Sequence, residues 1–238
     1  MFGFFWWDFT LLIVLPGIVF TLWAQARVKS TYSTYAGLIL RPGMTGGAVA
    51  RRILDSNGLR DVNIEVVPGQ LTDHYDPRHR VLRLSEGSFY GANAAAVGVA
   101  AHEAGHALQH GRAYAPLKLR MAMVPVCNLG SNMAMPLFFV GLLLSYTLPS
   151  AASTLMFLGI AAFSLAVLFQ LVTLPVEFNA SRRAMRCLAG SGTMSDVELK
   201  GTRKVLNAAA MTYVASLAVG LLSLLRLLVI ASSRSRRN

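Results

Sequence analysis

Two histidines of this sequence lie four residues apart with a glutamate between them, in the order Ala-His102-Glu103-Ala-Gly-His106. On an α-helix this spacing places both imidazoles on one face, about 6 Å apart along the axis, where their nitrogens can bind one zinc ion. Glu103 can take a proton from a water molecule that zinc activates for attack on a peptide carbonyl, and can pass it to the leaving amine. The segment therefore predicts a zinc peptidase with His102 and His106 as ligands and Glu103 as general base.

A catalytic zinc site needs a third protein ligand and one open position. His110 continues the four-residue spacing, but three successive turns of one helix arrange ligands poorly for a tetrahedral site. Glu177 is the better candidate, because it is the only acidic residue besides Glu103 between positions 87 and 195 and it directly follows an apolar run. A carboxylate at a membrane boundary is costly without a partner. The alternative to a metal is an ion pair with the 182–183 arginine pair.

The composition is that of a membrane protein rather than a soluble domain. Hydrophobic residues make up 54% of the 238 positions and charged residues 14%, which is too few charges to cover a globule of this size. The formal net charge of +11 could suggest a nucleic acid partner. The basic residues, however, lie beside apolar segments, which is typical of the cytoplasmic flanks of membrane spans, where they also meet anionic lipid. We therefore expect a lipid bilayer, and no nucleic acid, among the partners.

Four apolar runs are long enough to cross a bilayer. They cover residues 9–24, 123–148, 152–174 and 205–230. The first lacks the basic front end of a signal peptide, so it predicts an uncleaved anchor. Trp6, Trp7 and Trp23 are expected at the membrane interfaces. The second and third runs are joined by three residues and predict a tight hairpin.

Residues 30–120 are polar enough to form a soluble segment. Helical periodicity predicts a first helix with Thr45 as N-cap and a later helix that carries the two histidines, with two short strands between them. In chain order, these elements cover 44–56, 62–67, 81–84 and 92–109. Residues 69–79 are predicted to form a loop. The second strand precedes the histidine helix, so it is either an edge strand that pairs with an extended substrate or an ordinary strand of the sheet.

Lysine and arginine counts predict an orientation in the membrane. The polar segments 27–120 and 177–204 carry 18 of the 22 basic residues, and the opposite side has only Arg234, Arg236 and Arg237. This asymmetry places the polar segments in the cytoplasm. The basic C-terminus is at odds with four complete spans, so the alternative is a last segment that does not fully cross.

The patterns together predict a mainly α, polytopic membrane protein with about four transmembrane helices and a small α+β cytoplasmic catalytic domain. Zinc is the expected cofactor, since two imidazoles and a carboxylate form a borderline ligand set without thiolates. The predicted organisation is an N-terminal anchor over 1–29, a catalytic segment over 30–120, a transmembrane hairpin over 121–176, a cytoplasmic segment with the third ligand over 177–204, and a C-terminal transmembrane helix with a basic tail over 205–238.

Four longer motifs accompany the candidate site. They are Thr72-Asp-His-Tyr-Asp-Pro, Leu82-Arg-Leu-Ser, Ala100-Ala-His-Glu-Ala-Gly-His-Ala-Leu-Gln109 and Leu174-Pro-Val-Glu-Phe-Asn-Ala-Ser-Arg-Arg-Ala184. Together they resemble the bacterial membrane neutral zinc metallopeptidases over nearly the whole chain. That family is distantly similar to the HtpX heat-shock protease and the CAAX prenyl proteases, which use a Glu on a later helix as third zinc ligand. The resemblance implies a metalloendopeptidase of the gluzincin type with a zincin-like domain, located in the bacterial inner membrane, with Glu177 as that ligand.

The resemblance also bears on the residues around the metal. In the broader relatives an Asp four residues after the ligating Glu supports a metal-binding His, and here that position is Ser181. Asn179 or an arginine of the 182–183 pair can substitute for the Asp. A donor that stabilises the developing oxyanion would come from His74, Tyr75 or the same arginines.

We expect hydrolysis of peptide bonds in membrane or membrane-proximal proteins. The alternative is a catalytically silent membrane scaffold or adaptor that retains the metal-binding fold, and the presence of Glu103 favours the enzyme. A cation transporter is disfavoured, because His102 lies in an Ala-rich segment flanked by polar sequence and not at mid-span. Membrane adaptor proteins are possible further partners, and the sequence predicts no particular oligomer.

Overall fold

The computed structural model describes residues 9–40 and 44–235, with side chains described up to residue 233. The protein is mainly helical and contains one small sheet. Its elements are α1 (Leu11–Ala36), α2 (Gly46–Ser56), β1 (Asn63–Val67), β2 (His74–Asp76), β3 (Val81–Ser85), α3 (Glu86–Tyr90), α4 (Ala94–Gly111), α5 (Ala115–Leu144), α6 (Pro149–Gly190) and α7 (Asp196–Ser235). The predicted interfacial Trp6 and Trp7, and the basic Arg236 and Arg237, lie outside the described residues.

Four of these helices are long and apolar enough to cross a membrane: α1, α5, α6 and residues Asp196–Ser233 of α7. This confirms the predicted number of spans and the mainly α, polytopic class. The third long helix differs from its prediction in length, because α6 continues past the apolar run through Pro175 to Gly190. A proline removes a single hydrogen-bond donor from a helix, and membrane helices tolerate this loss where neighbours satisfy the freed carbonyl.

The chain divides into two compact units. The apolar unit comprises Met1–Trp23, Arg120–Val172 and Tyr213–Asn238, and the polar unit comprises Ala24–Leu119 and Thr173–Thr212.

Within the apolar unit, α5 and α6 pack through glycine. A Cβ atom added to Gly159 would lie 2.8 Å from the carbonyl oxygen of Ala134 and from the backbone nitrogen of Phe138. Such backbone approach at small residues is typical of helix packing in membranes.

Arg226, inside the last apolar run, donates a hydrogen bond from Nε to the hydroxyl of Thr10 at 3.0 Å.

The sheet of the polar unit has three strands in the order β1-β3-β2. β1 pairs with β3 in parallel and β2 pairs with β3 in antiparallel register. The predicted strands over 62–67 and 81–84 are confirmed. The prediction of a loop over 69–79 is wrong at β2, which has only three residues and therefore carries no readable alternation. As a result β3 is the central strand of the sheet and is not the edge strand that one interpretation required.

Helix α2 has the predicted N-cap, and α4 begins two residues after its predicted start. The hydroxyl of Thr45 accepts a hydrogen bond from the backbone N–H of Ala48, and the side chain of Asn93 accepts one from Ala96. These bonds satisfy two of the free donors at the N-termini of α2 and α4. Apolar residues of α2, α4 and the sheet then form one core with residues of α6. The short helix α3 has no counterpart among the predicted elements.

Candidate metal centre

Within the polar unit, α4 and α6 approach each other at backbone distance inside the histidine motif. A Cβ atom added to Gly105 would lie 2.5 Å from the carbonyl oxygen of Ala180. Heavy atoms do not pack that closely, so glycine is required at this position. Ala180 follows Glu177 by three residues, and Gly105 directly precedes His106. The glycine of the motif therefore allows the helix with the candidate carboxylate to reach the helix with the two histidines.

His102, His106 and Glu177 form a compact cluster in which one potential ligand atom from each lies within 4.8 Å of the others. The Nε2 atom of His102 lies 3.2 Å from Oε2 of Glu177, and Nε2 of His106 lies 3.6 Å from the same oxygen. The two imidazole rings are almost perpendicular, with an interplanar angle of 87°. The side chain of Glu177 is 2% exposed, so this carboxylate is removed from water and faces two imidazole nitrogens.

A chain of hydrogen bonds fixes the orientation of the His106 ring. It begins at Arg183, whose guanidinium can only donate and whose Nε donates to Oδ1 of Asn179 at 2.7 Å. That oxygen also accepts a bond from Nε2 of Gln109 at 3.1 Å, and the same Nε2 donates to the carbonyl oxygen of Val176 at 2.7 Å. The amide oxygen of Gln109 therefore faces Nδ1 of His106, at 3.0 Å, and accepts a hydrogen bond from it. In the neutral form of His106, Nε2 therefore carries a lone pair that faces the cluster.

His102 has a corresponding partner on α6. Its Nδ1 lies 3.0 Å from the hydroxyl oxygen of Ser181. Ser181 thus contacts His102 from the position four residues after Glu177 that the sequence comparison with the broader relatives pointed to. Asn179 and Arg183, which belong to the residues considered as substitutes, instead support His106 through Gln109.

The donor set of the cluster fits a cation. In the neutral form of His106, a lone pair on Nε2 and a carboxylate oxygen of Glu177 face each other as acceptors. A cation, either a metal ion or a proton on Nε2, is therefore favoured between them. Burial lowers the pKa of His106, but the hydrogen bond to Glu177 and the charges of Glu103 and Glu177 raise this pKa by more, so that it lies above its ordinary value. Two imidazoles and one carboxylate are a ligand set that zinc accepts while keeping a fourth position open.

Glu103 is held beside the cluster by the sheet. Its Oε2 atom accepts a hydrogen bond from the backbone N–H of Tyr75 in β2 at 3.0 Å. This N–H therefore points away from β3, which shows that the free edge of β2 faces α4. Burial raises the pKa of Glu103, and the charges of His106 and His102 offset part of that rise.

Two further candidates from the sequence, His110 and His74, contact residues outside the cluster. Nδ1 of His110 lies 2.9 Å from the hydroxyl of Tyr75, and burial together with the charges of Arg80 and Lys118 lowers the pKa of His110. His110 is not part of the three-residue cluster. His74 is exposed and its Nδ1 lies 2.8 Å from the carbonyl oxygen of Thr72.

Sequence reasoning missed two groups that position the site. Gln109 is fully buried and links both helices, but its only sequence signal is a polar residue three positions after His106 in an Ala-rich stretch. The backbone N–H of Tyr75 carries no sequence signal, because any residue other than proline would supply it.

Comparison with known proteins gives results that agree with this geometry. The family described as "putative neutral zinc metallopeptidase" matches residues 10–232, a range that includes every residue of the cluster. The chain is similar to "Putative membrane protease YugP" of Bacillus subtilis (strain 168), with 48% identity over 218 residues that cover 92% of this chain and 94% of that protein. No solved structure matches the chain significantly. The matched range and the four apolar helices together identify the chain as an integral membrane protein that belongs to the neutral zinc metallopeptidase family.

Proposed function

We propose that this protein is a zinc metalloendopeptidase of the gluzincin type that hydrolyses peptide bonds of membrane or membrane-proximal proteins. We further propose that it resides in the bacterial inner membrane with its active site on the cytoplasmic side. The observation that carries the proposal is the cluster of His102, His106 and Glu177, whose ligand atoms lie within 4.8 Å of one another. Membership of a zinc metallopeptidase family supports the choice of metal.

In this proposal His102, His106 and Glu177 hold the zinc ion. When bound, zinc supplies Lewis acidity, which lowers the pKa of a water molecule and polarises the peptide carbonyl. Ser181 and Gln109 orient the two imidazoles, because each contacts the Nδ1 atom on the far side of a ring. Such supporting hydrogen bonds hold ligands in the geometry that the metal requires.

Glu103 acts as general base and then as general acid. It takes a proton from the attacking water and delivers it to the nitrogen of the leaving amine, so no proton is left over at the end of the reaction. The hydrogen bond from the N–H of Tyr75 holds one carboxylate oxygen of Glu103 and leaves the other available. Glu103 follows His102 directly on α4, which supports its assignment beside the water rather than as a ligand.

An extended substrate could pair with an edge strand through main-chain hydrogen bonds. β3 does not offer such an edge, because it is paired on both sides. The N–H of Tyr75 on the outer side of β2 is already donated to Glu103, so this group positions the carboxylate and does not pair with a substrate.

The substrates are proposed to be membrane proteins or segments close to the bilayer. In the sequence, Glu177 follows the apolar run of α6 with only Pro175 and Val176 between them. The histidine helix is likewise followed within about a dozen residues by the apolar run of α5. Both ligand-bearing segments are therefore tethered to membrane spans, and a substrate reaches the site near the bilayer surface.

Casein cleavage by the full-length protein in detergent tests the proposal. The wild type should cleave casein, and removal of zinc by a chelator should stop the reaction until zinc is restored. Glu103→Gln should lose cleavage and keep its thermal unfolding midpoint. A wild type that binds zinc but cleaves neither casein nor any membrane-protein substrate would instead support the silent scaffold.

A further inference from the structure

A cavity of the polar unit lies between α6 and α7 and is lined by three arginines. Its volume is about 390 Å³. Arg182 and Arg186 contribute from α6, and Arg203 and Asn207 contribute from α7. All four side chains are exposed, and no Asp or Glu of the described residues lines the cavity.

The positive charge of this groove is not neutralised within the described part of the chain. Arg182 and Arg186 are four residues apart on one helix, so their guanidinium groups repel each other. None of the three arginines makes an ion pair with a described Asp or Glu. The acidic residues nearest in sequence are Glu177, Asp196 and Glu198, and none of them lines the cavity. Glu177 faces the two histidines, and the other two belong to the first turn of α7. Three unpaired guanidinium groups around one groove favour an anion that can accept several hydrogen bonds.

The floor of the groove is apolar. Met185, Leu206 and Ala210 are buried and line the cavity beneath the arginines. Phe178 is 41% exposed and also lines it. A cationic rim above an apolar floor matches an amphiphile with an anionic headgroup better than it matches a free inorganic anion, which would gain nothing from the floor.

We propose that this groove binds the phosphodiester headgroup of an anionic phospholipid. Basic pockets between membrane-associated helices are suited to such headgroups. The arginines would hold the phosphate through paired N–H donors, and the glycerol and first methylene groups would cover the apolar floor. The site is separate from the proposed catalytic chemistry, but Ser181, which contacts His102, also lines the cavity. Bound lipid would therefore adjoin a residue that supports the metal cluster.

The test uses the full-length protein in detergent, freed of native lipid, and follows its thermal unfolding midpoint. The probes are short-chain phosphatidylglycerol, short-chain phosphatidylcholine and inorganic phosphate. A ligand that binds only the folded state raises this midpoint with its concentration. We expect a saturable rise with phosphatidylglycerol and none with the other two probes at the same concentrations. The variant Arg182→Gln, Arg186→Gln, Arg203→Gln should bind phosphatidylglycerol at least about tenfold more weakly.

A second triple variant provides the matched control. Arg52→Gln, Arg60→Gln, Arg78→Gln removes the same net charge from exposed positions outside the groove and should bind phosphatidylglycerol like the wild type. The single variants Arg182→Gln, Arg186→Gln and Arg203→Gln are measured as well, and each should weaken phosphatidylglycerol binding. They keep the test valid if the triple variant does not fold. Equal shifts with phosphatidylcholine, equal shifts with inorganic phosphate, or equal loss in the control variant would each overturn the proposal.

Discussion

The hydroxyl oxygen of Ser181 lies 3.0 Å from Nδ1 of His102, four residues after Glu177 on the same helix. One turn of α6 therefore supplies both a carboxylate on the Nε2 side of the ring and a hydroxyl on its Nδ1 side. A neutral hydroxyl orients the imidazole as an Asp would, without adding a second negative charge to a buried site.

Removal of this hydroxyl should weaken zinc binding. We expect Ser181→Ala to raise the zinc dissociation constant by about 10-fold, at the lower end of the range for such supporting residues, because the His102 ring loses its fixed orientation. Ser181→Thr keeps a hydroxyl at the same position and should bind zinc like the wild type. Competition with a chromophoric chelator measures the constants. Equal affinities for the alanine and threonine variants would show that Ser181 has only a packing role.

Gly105→Ala should separate the two ligand-bearing helices. The new methyl group would lie 2.5 Å from the carbonyl oxygen of Ala180, so α6 must shift away from α4. We expect a loss of about 1–3 kcal/mol in the free energy of unfolding, typical of overpacking, together with weaker zinc binding. Gly190→Ala is the matched control, because no atom lies within 4 Å of its added Cβ. A Gly105→Ala variant with the stability and zinc content of the control would contradict the described packing.

Asp76 should make stability depend on pH in the acid range. Hydrogen bonds from the side chains of His79 and Arg83, and from the backbone of the following turn, hold the pKa of Asp76 below its ordinary value of 3.8. A depressed folded-state pKa contributes stability that is present above the unfolded-state pKa and is lost as pH falls through the folded-state pKa. Asp76→Asn should therefore be less stable than the wild type at neutral pH, and the difference should shrink below about pH 4.

Chemical unfolding of both proteins over the pH range measures this difference. Asp61→Asn serves as the control, because Asp61 forms an ion pair with Arg80 in which both side chains are about half exposed, and such pairs contribute little. A difference between wild type and Asp76→Asn that stayed constant below pH 4 would mean that the carboxylate of Asp76 is not the source.

Cysteine labelling tests the proposed orientation in the membrane. Arg60 of the polar unit and Ser150 at the start of α6 are both exposed positions. In a background without Cys127 and Cys187, a cysteine at Arg60 should be shielded from an impermeant thiol reagent in intact cells and should react after lysis. A cysteine at Ser150 should react in intact cells. The reverse pattern would place the metal cluster outside the cell.

Hydropathy and helical spacing predict those features of the structure that residues close together in the sequence determine. Four apolar runs become four long helices, and the four-residue interval of His102 and His106 places both rings on one face of α4. Glu177 could be singled out because an isolated carboxylate at the end of an apolar run is costly. The structure brings it to the histidine pair, although its role as ligand stays a prediction.

The parts that sequence could not predict depend on how distant segments meet. β2 forms only because β3 lies beside it, since three residues carry no periodic signal of their own. The role of Gln109 requires α6 to be in place, because its amide reaches the carbonyl of Val176 and the side chain of Asn179. The requirement for glycine at position 105 likewise becomes apparent only when Ala180 is packed against it.

Zinc content tests the central claim most directly. Elemental analysis of protein purified without added metal should give about one zinc per chain for the wild type, as expected of a site with three protein ligands. Glu103→Gln should retain that zinc, because the proposal assigns Glu103 to proton transfer and not to the metal. Glu177→Ala should retain much less. A wild type without any transition metal, or a Glu103→Gln variant that loses zinc while Glu177→Ala keeps it, would contradict the assignment of the cluster.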